Sequence, residues 1–181
     1  AFMGAGDDVF QWDPGDGSDT IEGQAGIDTL TFNGSGANEN IDISANGSRL
    51  RLARNVGSIV LDLDGVEQVD VNALGGTDAI NVNNLAGTAV TQVNVDLAGT
   101  LGGVTGDVLV DAITVNGTAA PDTIHVSANA GAVVVTGLAA QVTVTHSESA
   151  LDSLVVNGLS GVDTITQGPG VAALIMLTIN Q

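Results

Sequence analysis

The sequence predicts an all-β fold, a parallel β-solenoid with about 20 residues and two short strands in each coil. Three observations predict it. Short apolar-alternating runs recur about every ten residues, with Gly, Asn, Ala and Asp between them. Hydrophobic residues make up 44% of the 181, yet aromatics only 2%, so the core must be Val, Ile, Leu and Ala. Near the start, one rhythm appears three times: Gly6, Asp8 and Phe10, then Gly17, Asp19 and Ile21, then Gly26, Asp28 and Leu30.

The expected strands follow from the alternation. They are Thr29–Phe32, Ile41–Ser44, Leu50–Leu52, Ile59–Leu63, Val69–Val71 and Ala79–Val82 in the first half. Val93–Leu97, Ala112–Val115, Thr123–Val126, Val133–Val135, Val142–Val144, Leu154–Val156 and Thr164–Thr166 follow. Ile and Val suit such strands because their branched side chains are stiff and pack well on a pleated surface. No amphipathic helix pattern lies between the runs, and 25 glycines disfavour one. Asn33, Asn72, Asn116 and Asn157 close strands and read as turn residues, since Asn bonds local backbone.

A longer repeat overlies the short one. Leu30–Ile41 aligns with Ile113–Ile124, and Asn72–Ile80 with Asn157–Ile165. Offsets of about 83 to 85 residues suggest a duplication of roughly four coils. We place it at 28–100 and 111–168 of a single solenoid domain, 1–181.

Charge excludes some functions. The chain has no Lys, its three arginines (Arg49, Arg51, Arg54) cluster, and net charge is −18. Such a surface repels nucleic acid and anionic lipid and attracts cations. No apolar run is long enough to span a membrane; Val171–Leu177 is too short. There is no Cys, so neither disulfides nor thiolate metal sites exist. The chain starts within a repeat, which reads as a processed piece of a longer protein.

The three N-terminal segments carry a more specific signal. Gly4-Ala5-Gly6-Asp7-Asp8, Gly15-Asp16-Gly17-Ser18-Asp19 and Gly23-Gln24-Ala25-Gly26-Ile27-Asp28 each end in an Asp with a large apolar residue two positions on. They match the G-G-x-G-x-D-x-U-x nonapeptide of calcium-binding β-solenoids. The chain resembles the RTX, or haemolysin-type, calcium-binding repeat family, strongly over residues 3–31 and as a decayed repeat beyond. The resemblance implies a bacterial secreted or cell-surface protein that folds outside the cell as calcium binds.

Calcium takes about six to eight hard oxygen ligands, so two stacked loops must share an ion. The best expected site pairs Met3–Asp8 with Gly23–Asp28. Asp8 and Asp28 would supply carboxylates, and the Gly4, Gly6, Gly23 and Gly26 neighbourhoods carbonyls. A second would pair Gly15, Gly17 and Asp19 with the loop ending at Glu39, one coil further on. Residues 1–40 are thus the calcium-binding coils, and 41–181 are mostly calcium-free. There Asp78, Asp122 and Asp163 stand alone: the expected coil neighbours are Ser58 and Ala98 for Asp78, and Thr143 for Asp163.

Catalytic signals are thin. His125 and His146-Ser147 lie in no nucleophile or zinc motif and read as surface histidines. Arg49 and Arg51 should share an outer face, paired with Asp70, or form an anionic-glycan patch. The aromatics Phe2, Phe10, Trp12 and Phe32 all lie near the start and should fill a wider end of the solenoid; an exposed Trp12 would instead be a glycan-stacking platform. The expectation is therefore a right-handed parallel β-roll or β-helix of about nine coils. Its role is calcium-stabilised structure or spacing, not catalysis. Its partners are calcium, adjacent repeats and, by end-to-end contact, further copies. The alternative is a carbohydrate-binding or polyuronate-modifying β-helix module.

Overall fold

A computed structural model describes all 181 residues. Seventeen strands carry the fold. They are β1 (Phe2–Ala5), β2 (Val9–Trp12), β3 (Thr20–Ala25), β4 (Thr29–Ser35), β5 (Asn40–Asn46), β6 (Arg49–Arg54), β7 (Ile59–Asp64), β8 (Gln68–Leu74) and β9 (Ala79–Val82). Then come β10 (Gln92–Asp96), β11 (Ala112–Asn116), β12 (Thr123–Asn129), β13 (Ala132–Thr136), β14 (Gln141–Thr145), β15 (Ser153–Asn157), β16 (Thr164–Gln167) and β17 (Met176–Asn180). Two single-turn 3-10 helices, Val56–Ser58 and Val171–Ala173, interrupt them. No helix is long and apolar enough to cross a membrane.

The strands form two mixed sheets. The first runs β1-β3-β7-β6-β5-β9-β11-β15-β17 and the second β16-β12-β13-β14-β10-β8-β4-β2. Most neighbours are parallel, because the chain crosses to the other sheet after most strands. The core lies between the sheets. Alternate side chains point into it, such as Ile59, Leu61 and Leu63 on β7 facing the layer of Val69, Val71 and Ala73 on β8. One cluster of 36 buried apolar residues runs through the molecule. Trp12 stacks on Phe32 at 4.5 Å and is fully buried, so it is a core residue and not an exposed platform.

The sheets are not wholly parallel, which corrects the expected coil. Four pairs are antiparallel: β5–β6, β6–β7, β12–β13 and β13–β14. After β4 the chain skips forward to β5, then folds back through β6 so that β7 lies against β3. After β11 it does the same in the other sheet, and β14 returns to β10. The pairing of β4 to β10 therefore reappears in β11 to β17. Between equivalent points the chain crosses an odd number of times, so the duplicated halves exchange sheets. A duplication of whole two-strand coils would have kept them on the same sheet.

Two polar ladders line the strand ends. In the first sheet Asn83 donates its side-chain amide to Asp42, Asn116 to Asn83, Asn157 to Asn116 and Asn180 to Asn157, at 2.8–2.9 Å. In the second, Asn72 donates to Asn33 and Asn33 to Asp13. These asparagines satisfy one another between strands and are not isolated turn residues. Asp13 ends its ladder as an acceptor. The Asn33 amide, and secondarily that of Gln11, lowers its pKa.

Candidate metal centre

The residue just before a strand is repeatedly an acid, and these acids stack. The amide of the residue just before a strand needs an acceptor where the chain swings in from the turn. Here the next level's carboxylate provides it. Asp8 N–H donates to Asp28 Oδ1 at 2.9 Å, and Asp28 N–H to Glu67 Oε2 at 2.8 Å. On the other edge Glu39 N–H donates to Asp78, Asp78 to Asp111, and Asp111 to Asp152, at 2.8–3.0 Å. A short third run links Asp122 N–H to Asp163 Oδ1.

Two glycines make this stacking feasible. Five residues before the acid, a small residue leaves room for the second carboxylate oxygen. A Cβ on Gly23 would sit 2.6 Å from Asp28 Oδ2 and overlap the Gly65 carbonyl oxygen. Gly34 stands in the same relation to Glu39, Gly117 to Asp122, and Gly158 to Asp163. Two residues before the acid, Gly26, Gly76 and Gly161 have positive φ and lie against the carbonyls of Gly6, Ala37 and Ala120 in the preceding turn. The glycine spacing of the motif is therefore a packing code.

The carboxylates are only half satisfied. Oδ2 of Asp8, Asp28, Asp78 and Asp163, and Oε2 of Glu39, are buried with no hydrogen-bond partner. Gly23 is approached both by Asp28 Oδ2 and by the Gly65 carbonyl oxygen, and Gly34 both by Glu39 Oε2 and by the carbonyl oxygens of Asn72 and Ala73. A buried carboxylate oxygen without a donor is costly unless a proton or a cation serves it. Burial answers this at the first-sheet ladder by favouring the proton. Desolvation raises Asp78 to about 7 and Asp111 to about 6, against the lowering effect of their backbone hydrogen bonds. Asp152 is raised for the same reason.

The expected ligands divide accordingly. Asp8 and Asp28 are adjacent, Gly6 packs on Gly26, Gly4 lies opposite Gln24, and Gly23 cradles Asp28. The free oxygens of Asp8 and Asp28 are both buried without a partner, which is the feature a cation would satisfy. No three His, Asp or Glu side chains converge on one point, so carbonyls would have to complete any coordination. The second site is not assembled. Two strands, β7 and β6, separate β3 from β5, so Asp19 and Glu39 are not neighbours. Asp19 instead lies beside β7, its carbonyl accepting from Asp62. The Gly17 carbonyl is taken by Trp12 Nε1 at 2.7 Å, and a Cβ on Gly15 would meet open space.

Glu39 has a different partner. Its Oε1 is ion-paired with Arg54, and both side chains are buried. Ser35 Oγ also donates to Oε1, and Arg54 lies 5.4 Å from the Trp12 ring centre. Arg49 is held by Glu22 and Asp62, which raise its pKa, with Asp64 further off. Asp70 lies on β8 in the other sheet and pairs with neither Arg49 nor Arg51; Asn94 and Gln68 bond it. The expected neighbours of Asp78 and Asp163 were also wrong. They are Glu39 and Asp111, and Asp122. Counting by fixed coil length failed because the meanders insert strands.

The histidines assemble no nucleophile. His125 Nδ1 meets Thr166 Oγ1 at 2.9 Å on an exposed face. His146 Nδ1 meets Asp96 Oδ1 at 2.6 Å, while Ser147 Oγ donates away, to the Leu174 carbonyl. No protein-family model matches the chain, and no curated protein matches it significantly. The ladders themselves escaped the sequence reading. The signal that would have found them is the small residue five before each acid, in Gly23/Asp28, Gly34/Glu39, Ala73/Asp78, Gly117/Asp122 and Gly158/Asp163.

Proposed function

We propose that this chain is a calcium-stabilised structural module of a bacterial secreted or cell-surface protein, its two sheets wound as a right-handed β-solenoid. The observation that carries this reading is Asp28 Oδ2, buried and without a partner beside Gly23, which the Gly65 carbonyl oxygen also approaches. A divalent cation there would give the unpartnered oxygen a counter-charge. Asp28 and the carbonyls of the flanking turns would hold it, with Asp8 adding its free oxygen from the turn before. A cation bound only by the folded state adds stability by mass action, about 2.7 kcal/mol at a hundred times Kd. Such a module stays loose where calcium is scarce and stiffens where it is plentiful. Its role is to hold shape and spacing beside adjacent repeats, with further copies as end-to-end partners.

The test is a calcium titration of thermal stability and Trp12 fluorescence, with magnesium as control. Trp12 is a suitable reporter because Phe32, Arg54 and the Gly17 carbonyl surround it. A saturable, calcium-selective rise in Tm that Asp8→Ala plus Asp28→Ala removes supports the reading. A Tm that ignores calcium over the same range at pH 8, with the sheets already formed in chelator, refutes it.

A further inference from the structure

We propose that the groove on the outer face of β5, β6, β7 and β9 binds a carboxylated sugar unit, with Arg51 holding its carboxylate. The proposal stands apart from the calcium reading and rests on different residues.

The duplication isolates the feature. The second meander, β12 to β14, is built like the first without any arginine. Register places Ala132 where the first meander has Arg49, opposite Asn129 and Asn46 respectively, and Val134 where it has Arg51, opposite Ser127 and Ser44. The architecture therefore needs no cation at these positions. Arg49 and Arg54 are explained by their ion pairs. Arg51 is not. Its cross-strand neighbour is Asp62, which is already bonded to Arg49 Nε at 2.6 Å. In a chain of net charge −18, Arg51 is the one arginine without a salt bridge.

Arg51 lines an open groove of about 340 Å³. That is room for one or two sugar rings. Ala53 and Val60 form a shallow apolar floor against which the C–H face of a ring can lie. Around the floor stand Asn40, Asn55, Asn81, Ser58 and Asp42. Across neighbouring strands Val60, Ala53, Asp42 and Asn81 form one row, at about 4.8 Å per strand. Amide, hydroxyl and carboxylate groups at that spacing suit an array of hydroxyls. A single guanidinium beside them suits one carboxylate, bound in bidentate fashion. The acidic surface disfavours a densely charged polyanion, so the ligand is a uronic-acid residue with neutral hydroxyls.

The experiment is amide NMR of the intact chain titrated with a galacturonate disaccharide. The neutral galactose disaccharide and acetate are parallel arms. Shifts should concentrate in 49–54 and 79–82, and Arg51→Gln should weaken binding by about tenfold or more. The variant leaves no internal bond unmade, so its fold is retained, and its unperturbed core shifts will verify this. Both control ligands should bind at least several-fold more weakly. No localised shift at millimolar ligand, or equal binding by Arg51→Gln, overturns the site. Equal binding of the neutral disaccharide removes the role of Arg51, and equal binding of acetate removes the sugar.

Discussion

Asp78 illustrates what burial does to a single carboxyl group. It is 1% exposed, accepts the Glu39 amide, and faces Glu39, Asp107 and Asp111, with no base beside it. Its folded pKa, about 7, lies above the unfolded value, 3.8. Its contribution to stability is thus fully present below 3.8 and is lost as pH rises through about 7. Asp111 acts alike, near 6. In chelator, Tm should therefore climb as pH falls from 8 to 5. Asp78→Asn should raise Tm at pH 8 and flatten the slope; a Tm that falls across this window would contradict the ladder. Glycine positions give a paired test. Gly23→Ala should cost about 1–3 kcal/mol in urea denaturation, because its Cβ overlaps the Gly65 carbonyl. Gly36→Ala should be nearly neutral, having open space and no positive φ.

At the level of elements, the sequence was readable for strand position and not for strand direction. All thirteen expected strands fall in or overlap observed ones, since inward and outward residues alternate regardless of which way the neighbour runs. That same symmetry hides the antiparallel pairs. A turn signal existed: Gly47 follows Asn46, and β5 and β6 are joined by Gly47 and Ser48 alone. The β12–β13 turn puts Ala130 and Gly131 at positive φ, 49° and 87°, as a type I′ turn requires. Ala130→Asn should therefore stabilise the protein by up to about 1 kcal/mol, read as a higher urea midpoint. The stacking of Asp8 on Asp28 was legible because the two residues are adjacent in both repeat and space. The Asp19–Glu39 pairing was not, because a meander intervenes. That meander also carries the Arg54–Glu39 pair. Arg54→Ala should cost about 3–5 kcal/mol by stranding a buried charge, whereas Arg54→Met with Glu39→Gln should recover most of it.

For the whole molecule, the parallel stacks and the two ladders make neighbouring levels depend on one another. Each asparagine inside a ladder (Asn33, Asn83, Asn116 and Asn157) donates to one neighbour and accepts from another, so damage in the middle is felt on both sides. Asn116→Ala removes bonds to Asn83 and Asn157 together. Hydrogen exchange should then rise in β9 and β15 alike, while Asn180→Ala, at the ladder's end, should affect β15 only.

The odd number of crossings in each half has a geometric outcome for anything displayed on the surface. The first meander faces outward from one sheet and the second from the other. Duplication here did not lengthen a single binding strip; it turned the copy to the back of the slab. A chain built of such halves shows its inserts alternately left and right, as leaves are set on a stem. Two bodies gripped by successive inserts would be held apart by the thickness of the slab, never side by side.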